Sequence, residues 1–187
     1  MFSYNVDPME GIDEVTLLRS AATDPASWER LYRLYVRRLY QYVRAHVGSD
    51  DDAADMTQQV FLQAFVALKQ SGPPQHFAAW LFTIAFHLVV NASRRQRATV
   101  SVERLPESLH PTASVDPESL FLQQETRASL TAVLAQLPSH KRELIALRFA
   151  ACLSSEEIAL VVGKKPEAVK KQITRILHWL KEHYHDA

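Results

Sequence analysis

Glycine and cysteine are scarce in this chain: its 187 residues include 4 glycines and a single cysteine, Cys152. So few glycines argue against Gly-rich phosphate loops and against all-β architectures, whose tight turns need them. One cysteine can form neither an internal disulfide nor a Cys-based zinc site. Net charge is missing too. Lys and Arg total 21, and Asp and Glu total 21. That excludes a uniformly basic coat but leaves room for a local basic patch. No apolar run approaches the roughly 18 residues of a membrane-spanning helix. The opening MFSYNVDPMEGIDEV carries acids and no apolar stretch, so no signal peptide is expected and the chain reads as cytoplasmic. What is present is 47% hydrophobic residues, enough for one large globular domain or two small ones.

Charge is unevenly placed. Residues 1–98 hold 10 basic and 10 acidic side chains. Residues 99–127 hold 2 basic and 5 acidic, a net −3, and residues 128–187 hold 9 basic and 6 acidic, a net +3. The middle stretch also contains Pro106, Pro111 and Pro117 among serines. It reads as an acidic linker over 99–119 between domains at 1–98 and 120–187.

Helical periodicity runs through both halves. The spacing predicts a short helix over Asp13–Ala22, then one capped by Ser27 and ended by Gly48, with Trp28, Leu31, Tyr35, Leu39, Val43 and Val47 in step. Ser49 or Asp50 caps a third helix whose first turn is rich in Asp, as the helix dipole favours. Its apolar stripe is Ala53, Met56, Val60, Ala64 and Leu68. After Ser71-Gly72-Pro73-Pro74 a fourth helix starts near His76, carries Phe77, Trp80, Leu81, Ile84, Leu88 and Val89, and ends in Arg94-Arg95-Gln96-Arg97. In the second half, helices are expected over Glu118–Ala135 and Ser139–Ala151. Ser154 with Glu157 three residues on forms a capping box. Gly163 closes that short helix, and Pro166 opens a last one to about His183, with Val169, Ile173, Ile176 or Leu177, and Leu180 inward. The fold class is all-α, with no convincing strand.

A short helix, a tight turn at Gly163 and a longer basic helix have the form of a helix-turn-helix. Ile158 and Ala159 can pack on Val169 and Ile173. Glu167, Lys170, Lys171, Thr174 and Arg175 then face outward, where cations can meet guanine edges or phosphates in a major groove. Ser154 and Ser155 start the first helix, and its N–H groups can seat a phosphate. A helical hairpin with a solvated cationic face would read the same way.

Taken together, the chain resembles an extracytoplasmic-function (ECF) sigma factor of bacterial RNA polymerase. Trp28-Glu29-Arg30-Leu31-Tyr32 through Tyr40-Gln41-Tyr42-Val43 resembles the opening of region 2. Asp52-Ala53-Ala54-Asp55-Met56-Thr57-Gln58-Gln59-Val60-Phe61 resembles the family's D-A-E-D-L-x-Q-E-V-F. Phe77-Ala78-Ala79-Trp80-Leu81-Phe82-Thr83-Ile84-Ala85 and Arg94-Arg95 resemble F-x-x-W-L-x-x-I-A and the following RR. Leu137-Pro138 through Phe149, then Leu153 to Ala159 and Gly163, resemble region 4. Phe86-His87 and Asn91 depart from the usual Arg-Asn and Asp, so the −10 preference does not carry over. Ala54 and Gln59 replace two glutamates. Ala168, Lys171 and Gln172 replace the Thr, Ser and Arg common in the recognition helix.

The resemblance implies two small helical domains, regions 2 and 4, joined by a flexible linker. It implies binding to RNA polymerase core through Asp52, Asp55 and Gln58. It implies −10 contacts by Phe86, His87, Asn91, Arg94 and Arg95, with the loop Lys69–His76 beside them. It implies −35 contacts by Ser154, Ser155, Lys170, Lys171, Thr174 and Arg175. An anti-sigma factor is the implied regulator. The acidic linker would lie near the RNA exit path. No catalytic residue, metal, cofactor or small-molecule substrate is expected. Trp80 is expected in the core, and Phe86, off the apolar stripe, is the better base-stacking candidate than Trp80, Phe77 or Phe82. Cys152 is expected as a buried, inert thiol, and His178, His183 and His185 as exposed. Two other functions compete. One is a free-standing helix-turn-helix regulator, which would bind specific duplex without polymerase. The other is a helical enzyme with Asp50, Asp51, Asp52 and Asp55 on a metal, but four acids in six residues cannot all face one ion on a helix.

Overall fold

The computed structural model describes residues 14–99 and 129–184, except the side chains of 94–99. The linker and the expected helix start near Glu118 fall outside the described residues, as does His185. Among the described residues the chain is all helical, with no strand. The helices are α1 (Glu14–Ser20), α2 (Pro25–Arg44), α3 (Asp50–Ser71), α4 (Phe77–Thr99), α5 (129–135), α6 (Ser139–Ile145), α7 (Ser155–Val162) and α8 (Pro166–Tyr184), with a π-helical turn at Ala146–Ala150 after α6.

Local chemistry sets most boundaries. Asp24, not Ser27, caps α2: its carboxylate accepts from the N–H groups of Ala26 and Ser27, and Pro25 takes the first helical position. Ser27 lies inside the first turn, is buried, and donates its hydroxyl to Asp24. The Ser27 hydroxyl and backbone bonds hold the Asp24 carboxyl below its ordinary range. Nor does Gly48 end α2. The helix stops at Arg44, with Ala45 in right-handed geometry as C-cap. Arg44 is buried there; its Nε donates to Asp50 Oδ1 at 2.6 Å and its Nη1 to the Val47 carbonyl at 3.0 Å. That pair ties the end of α2 to the start of α3. Ser49 caps α3, and Gly72 (φ 75°) ends it.

The capping box of α7 forms as expected: Glu157 N–H donates to Ser154 Oγ at 3.1 Å, and Ser154 N–H to Glu157 Oε2 at 2.7 Å. Gly163 (φ 65°, ψ 38°) ends α7 in the left-handed region. A Cβ there would meet open space, so Gly163→Ala carries only the backbone penalty. We expect a loss of about 1–2 kcal/mol in the C-terminal half, read as a lower urea midpoint.

The N-terminal bundle packs α1, α3 and α4 around α2. Leu31, Leu39, Tyr42, Val43, Val60, Ala64, Leu68, Leu81 and Phe82 are fully enclosed in it. The C-terminal helices bury Leu144, Leu147, Leu153, Ile158 and Val169. Ile176 is buried and Leu177 exposed, which settles the inward register of α8. The two halves touch: α7 packs on α4 and the π-helical turn on α2, so their buried residues form one continuous cluster.

The π-helical turn shapes that contact. Ala151 N–H bonds the Ala146 carbonyl, five residues back, and Cys152 takes a left-handed φ of 53°. The carbonyls of Ala151 and Cys152 then receive Arg38 of α2, at 2.8 and 3.1 Å. Cys152 is therefore exposed, not buried as expected. The left-handed residue turns the chain just past a helix end, where its side chain cannot reach the core.

Candidate functional site

Three surfaces carry the residues that the sequence singles out. The first is the outer face of α3. At 100° per residue, Asp51, Asp52, Asp55, Gln58 and Gln59 lie opposite the buried Ala53, Val60, Ala64 and Leu68, and all five are exposed. They are not equivalent. The Asp52 carboxylate accepts from Ser49 Oγ at 2.7 Å, so it belongs partly to the helix cap. Asp50 is committed to Arg44 and to Tyr40, whose hydroxyl donates to it at 3.0 Å. Burial and this carboxylate both push the Tyr40 phenol up. Asp55 and Gln58 are exposed one turn further along the same face. The stripe continues into Leu62 and Val66, exposed at 64% and 45%, which periodicity alone did not single out. Their signal is apolar character at seven and eleven residues from Asp55, on the side away from the core.

The second surface is the middle of α4. His87 and Asn91, four residues apart, are exposed on one face. Phe86 is half-buried, its ring 5.7 Å from His87. Phe77 and Phe82 are buried: Phe77 meets Tyr35 edge-on, and Phe82 meets Tyr42 edge-on at 5.6 Å. They are core residues rather than stacking candidates. Trp80 is half-buried against the core and contacts Phe77. Arg94 and Arg95 lie within α4, but their side chains are outside the described residues. The neighbouring loop is shorter than expected, because α3 runs through Ser71 and places Lys69 over the Phe65 ring at 4.4 Å.

The third surface is α8. Val169, Ile173 and Ile176 are buried, and Lys170, Lys171, Thr174 and Arg175 are exposed on the other side. Thr174 Oγ1 donates to the Lys170 carbonyl at 3.0 Å, so its hydroxyl is engaged with its own helix. Ser154 and Ser155 are half-buried at the start of α7. The capping box takes the Ser154 and Glu157 N–H groups, and Glu156 and Glu157 stand in the first turn, so only the Ser155 and Glu156 amides of that turn are left to offer an anion. Exposed cations thus project from the second helix of a helix-turn-helix whose first helix is held by its own carboxylates.

Comparison with known proteins agrees with this layout. Sigma-70 region 2 matches residues 31–99, and Sigma-70, region 4 matches residues 127–180. The ECF RNA polymerase sigma factor SigD of Mycobacterium tuberculosis is 35% identical over 152 residues, covering 76% of this chain and 69% of that protein. The chain belongs to the ECF sigma factor family. SigE of Mycolicibacterium smegmatis is 32% identical over 151 residues, and this chain spans only 58% of its length. The fold is shared with a sigma factor of Bartonella quintana, RpoE, solved in complex with the anti-sigma factor NepR, at a TM-score of 0.62 and 22% identity over 83% of this chain and 94% of that one.

Within the sigma-family frame the α3 and α4 surfaces lie in the region 2 match, and α8 lies in the region 4 match. Among the described residues no group of three His, Cys, Asp or Glu converges to hold a metal ion. No described helix is long and apolar enough to cross a membrane. His178 and His183 are exposed, and His183 stacks on Trp179 at 4.1 Å.

Proposed function

We propose that this protein is a dissociable initiation subunit of bacterial RNA polymerase, acting in the cytoplasm and carrying no catalysis of its own. Residues 1–98 serve as the core-binding and −10 domain, 99–119 as an acidic linker, and 120–187 as the −35 domain. The carrying observation is the split face of α8: Val169, Ile173 and Ile176 fix it on the C-terminal core while Lys170, Lys171 and Arg175 are held outward. A helix presented this way fits a major groove, with its N-terminal residues deepest. The exposed Asp55, Gln58, Leu62 and Val66 stripe gives the N-terminal half a separate surface for a protein partner. On α4, His87 and Asn91 approach bases, and Arg94 and Arg95 hold phosphates. Phe86, half-buried beside His87, is the aromatic placed to stack on an unpaired base. An anti-sigma factor is the proposed regulator, by analogy with the RpoE–NepR complex.

The reading is tested by adding the purified protein to core polymerase. Promoter-specific transcription is expected only with both present. Nanomolar duplex binding by the protein alone would favour a free-standing regulator and overturn the reading. A finer test separates base reading from charge on α8. Lys171→Ala is expected to shift the preferred −35 sequence, by about 1–3 kcal/mol at one base pair. Arg175→Ala, one turn further along, is expected to weaken all sequences alike and to reduce the salt dependence by about one unit of slope. Selection from a randomised −35 library with core polymerase distinguishes them. Uniform loss in both variants would make Lys171 a phosphate contact.

A further inference from the structure

The polar part of the contact between the two halves centres on Glu143 of α6, which is 15% exposed. Its two carboxylate oxygens meet the last turn of α2 and the segment just past it. Tyr42 Oη donates to Oε1 at 2.6 Å, and His46 Nε2 lies 2.9 Å from Oε2. His46 Nδ1 lies 2.8 Å from the Tyr42 carbonyl oxygen. A carbonyl and a carboxylate can only accept. Both ring nitrogens face acceptors, so the imidazolium alone satisfies them together. A neutral ring leaves one pair of acceptors in contact in a half-buried site, which is unfavourable. One turn back on α2, Arg38 donates to the Ala151 and Cys152 carbonyls past the π-helical turn.

We infer that Glu143, held by Tyr42 and protonated His46 beside the Arg38 bonds, is a pH-dependent latch that keeps the C-terminal helices closed on the N-terminal bundle, in a form that cannot span a promoter. The promoter part rests on the sigma-factor reading above. α4 packs on α7, and α7 packs on α8. Packed helices have axes about 8–10 Å apart, so α4 and α8 lie within about 20 Å of each other. Elements at −10 and −35 are separated by about two and a half turns of B-DNA, roughly 80 Å. Neither α4 nor α8, about 35 and 28 Å long at 1.5 Å per residue, bridges that gap from a shared contact. The halves must part before both elements are engaged.

The charged surroundings of His46 come from each packed element. Glu143 and Arg142 face it from α6, and Arg142 opposes its charge. Asp52 and Asp55 of α3 line the same cleft, and α4 closes it with Val89, Ala92 and Ser93, none of which titrates. Burial works against the imidazolium. The Glu143 hydrogen bond, the Glu143 charge and the Tyr42 carbonyl outweigh it and raise the His46 pKa above 6.5. With the pKa raised in the closed form, the contribution to closure is complete below about pH 6.5 and is lost as pH rises through the raised value.

The test is small-angle X-ray scattering of the full chain at about pH 6 and about pH 8, with core-polymerase pull-downs alongside. The natural protein is expected to be compact at the lower pH and to expand at the higher. Glu143→Ala, which leaves Tyr42 and His46 without their shared acceptor, is expected to be expanded at both, and to bind core about tenfold more tightly than the natural protein at the lower pH, the worth of one charged hydrogen bond. Should Glu143→Ala lose helical circular dichroism, Tyr42→Phe takes its place, and expansion beginning at a lower pH supports the latch. An expanded natural protein at the lower pH, or identical scattering for natural protein and variants, overturns it. Expected scattering with unchanged core affinity overturns the inhibitory role. Expected scattering with no core binding by any form supports the latch and overturns the sigma-factor reading instead.

Discussion

Replacing Phe82 by alanine is expected to lower stability by about 3–5 kcal/mol, the range for emptying a large buried aromatic site. Phe82 is fully enclosed. Its ring meets Tyr42 edge-on, and the Arg38 guanidinium lies 5.9 Å from its centre. It therefore supports the same two side chains that hold Glu143 and the π-helical turn. The loss has two parts, transfer of the ring to water and a cavity that three packed helices cannot close. Phe86→Ala, four residues on and half-buried, should lose no more than about half as much. Urea unfolding of both variants decides the matter. If the two losses are equal, Phe82 is not the keystone that its burial implies. A drop of this size approaches the whole stability of a small domain, so Phe82→Ala is best compared at low temperature.

Asp55→Arg is expected to abolish core-polymerase binding while leaving the fold intact. Asp55 is exposed on the outer face of α3, and surface changes of this kind usually move stability by less than about 0.5 kcal/mol. If Asp55 meets a basic surface on polymerase, reversal places like charges together in a partly dry interface. That costs several kcal/mol, on the order of 100-fold or more in affinity. Leu62→Ala gives an independent reading of the same face. Leu62 is 64% exposed, so its truncation should scarcely change the unfolding midpoint. It should still weaken core binding by roughly 1–2 kcal/mol if this apolar side chain is covered on docking. Sedimentation with core polymerase and a parallel thermal melt measure both. Retained affinity in Asp55→Arg would remove α3 as the docking face.

The proposed latch and the proposed docking face are neighbours. Asp52 and Asp55 share a cleft with His46, and Asp52 follows Ser49 in the cap that starts α3. A partner that engages α3 therefore arrives next to the residue whose protonation holds the two halves together. Loss of the His46 charge above its raised pKa and attachment of a partner to α3 act on the same end of the bundle.

Helix existence, the helix-turn-helix and the capping box were legible in the sequence, because each depends on residues within one or two turns of each other. The stripe Val60, Ala64, Leu68 and the stripe Val169, Ile173, Ile176 are periodic in any window that contains them. Gly163 and Pro166 act on their own backbone. The outward set on α8 followed directly, since fixing the inner face fixes the outer one. Single-residue outcomes were harder. Asp24 and Ser27 are both acceptable caps, and only the position of Pro25 and the burial of Ser27 against the bundle separate them. Phe82 and Phe86 are equally aromatic and one turn apart, and Phe82 is the one whose ring is enclosed against Tyr42 and Arg38 of α2. Cys152 has apolar neighbours in sequence, but the π-helical turn before it gives it a left-handed backbone and turns it outward. The bonds from Arg38, Tyr42 and His46 to the second half join residues 97 to 114 positions apart. No local pattern encodes such pairs. Each needs two finished helical units brought face to face, so the sequence by itself determined the helices and their exposed faces, and the tertiary structure alone decided that a half-buried histidine and a glutamate would meet between them.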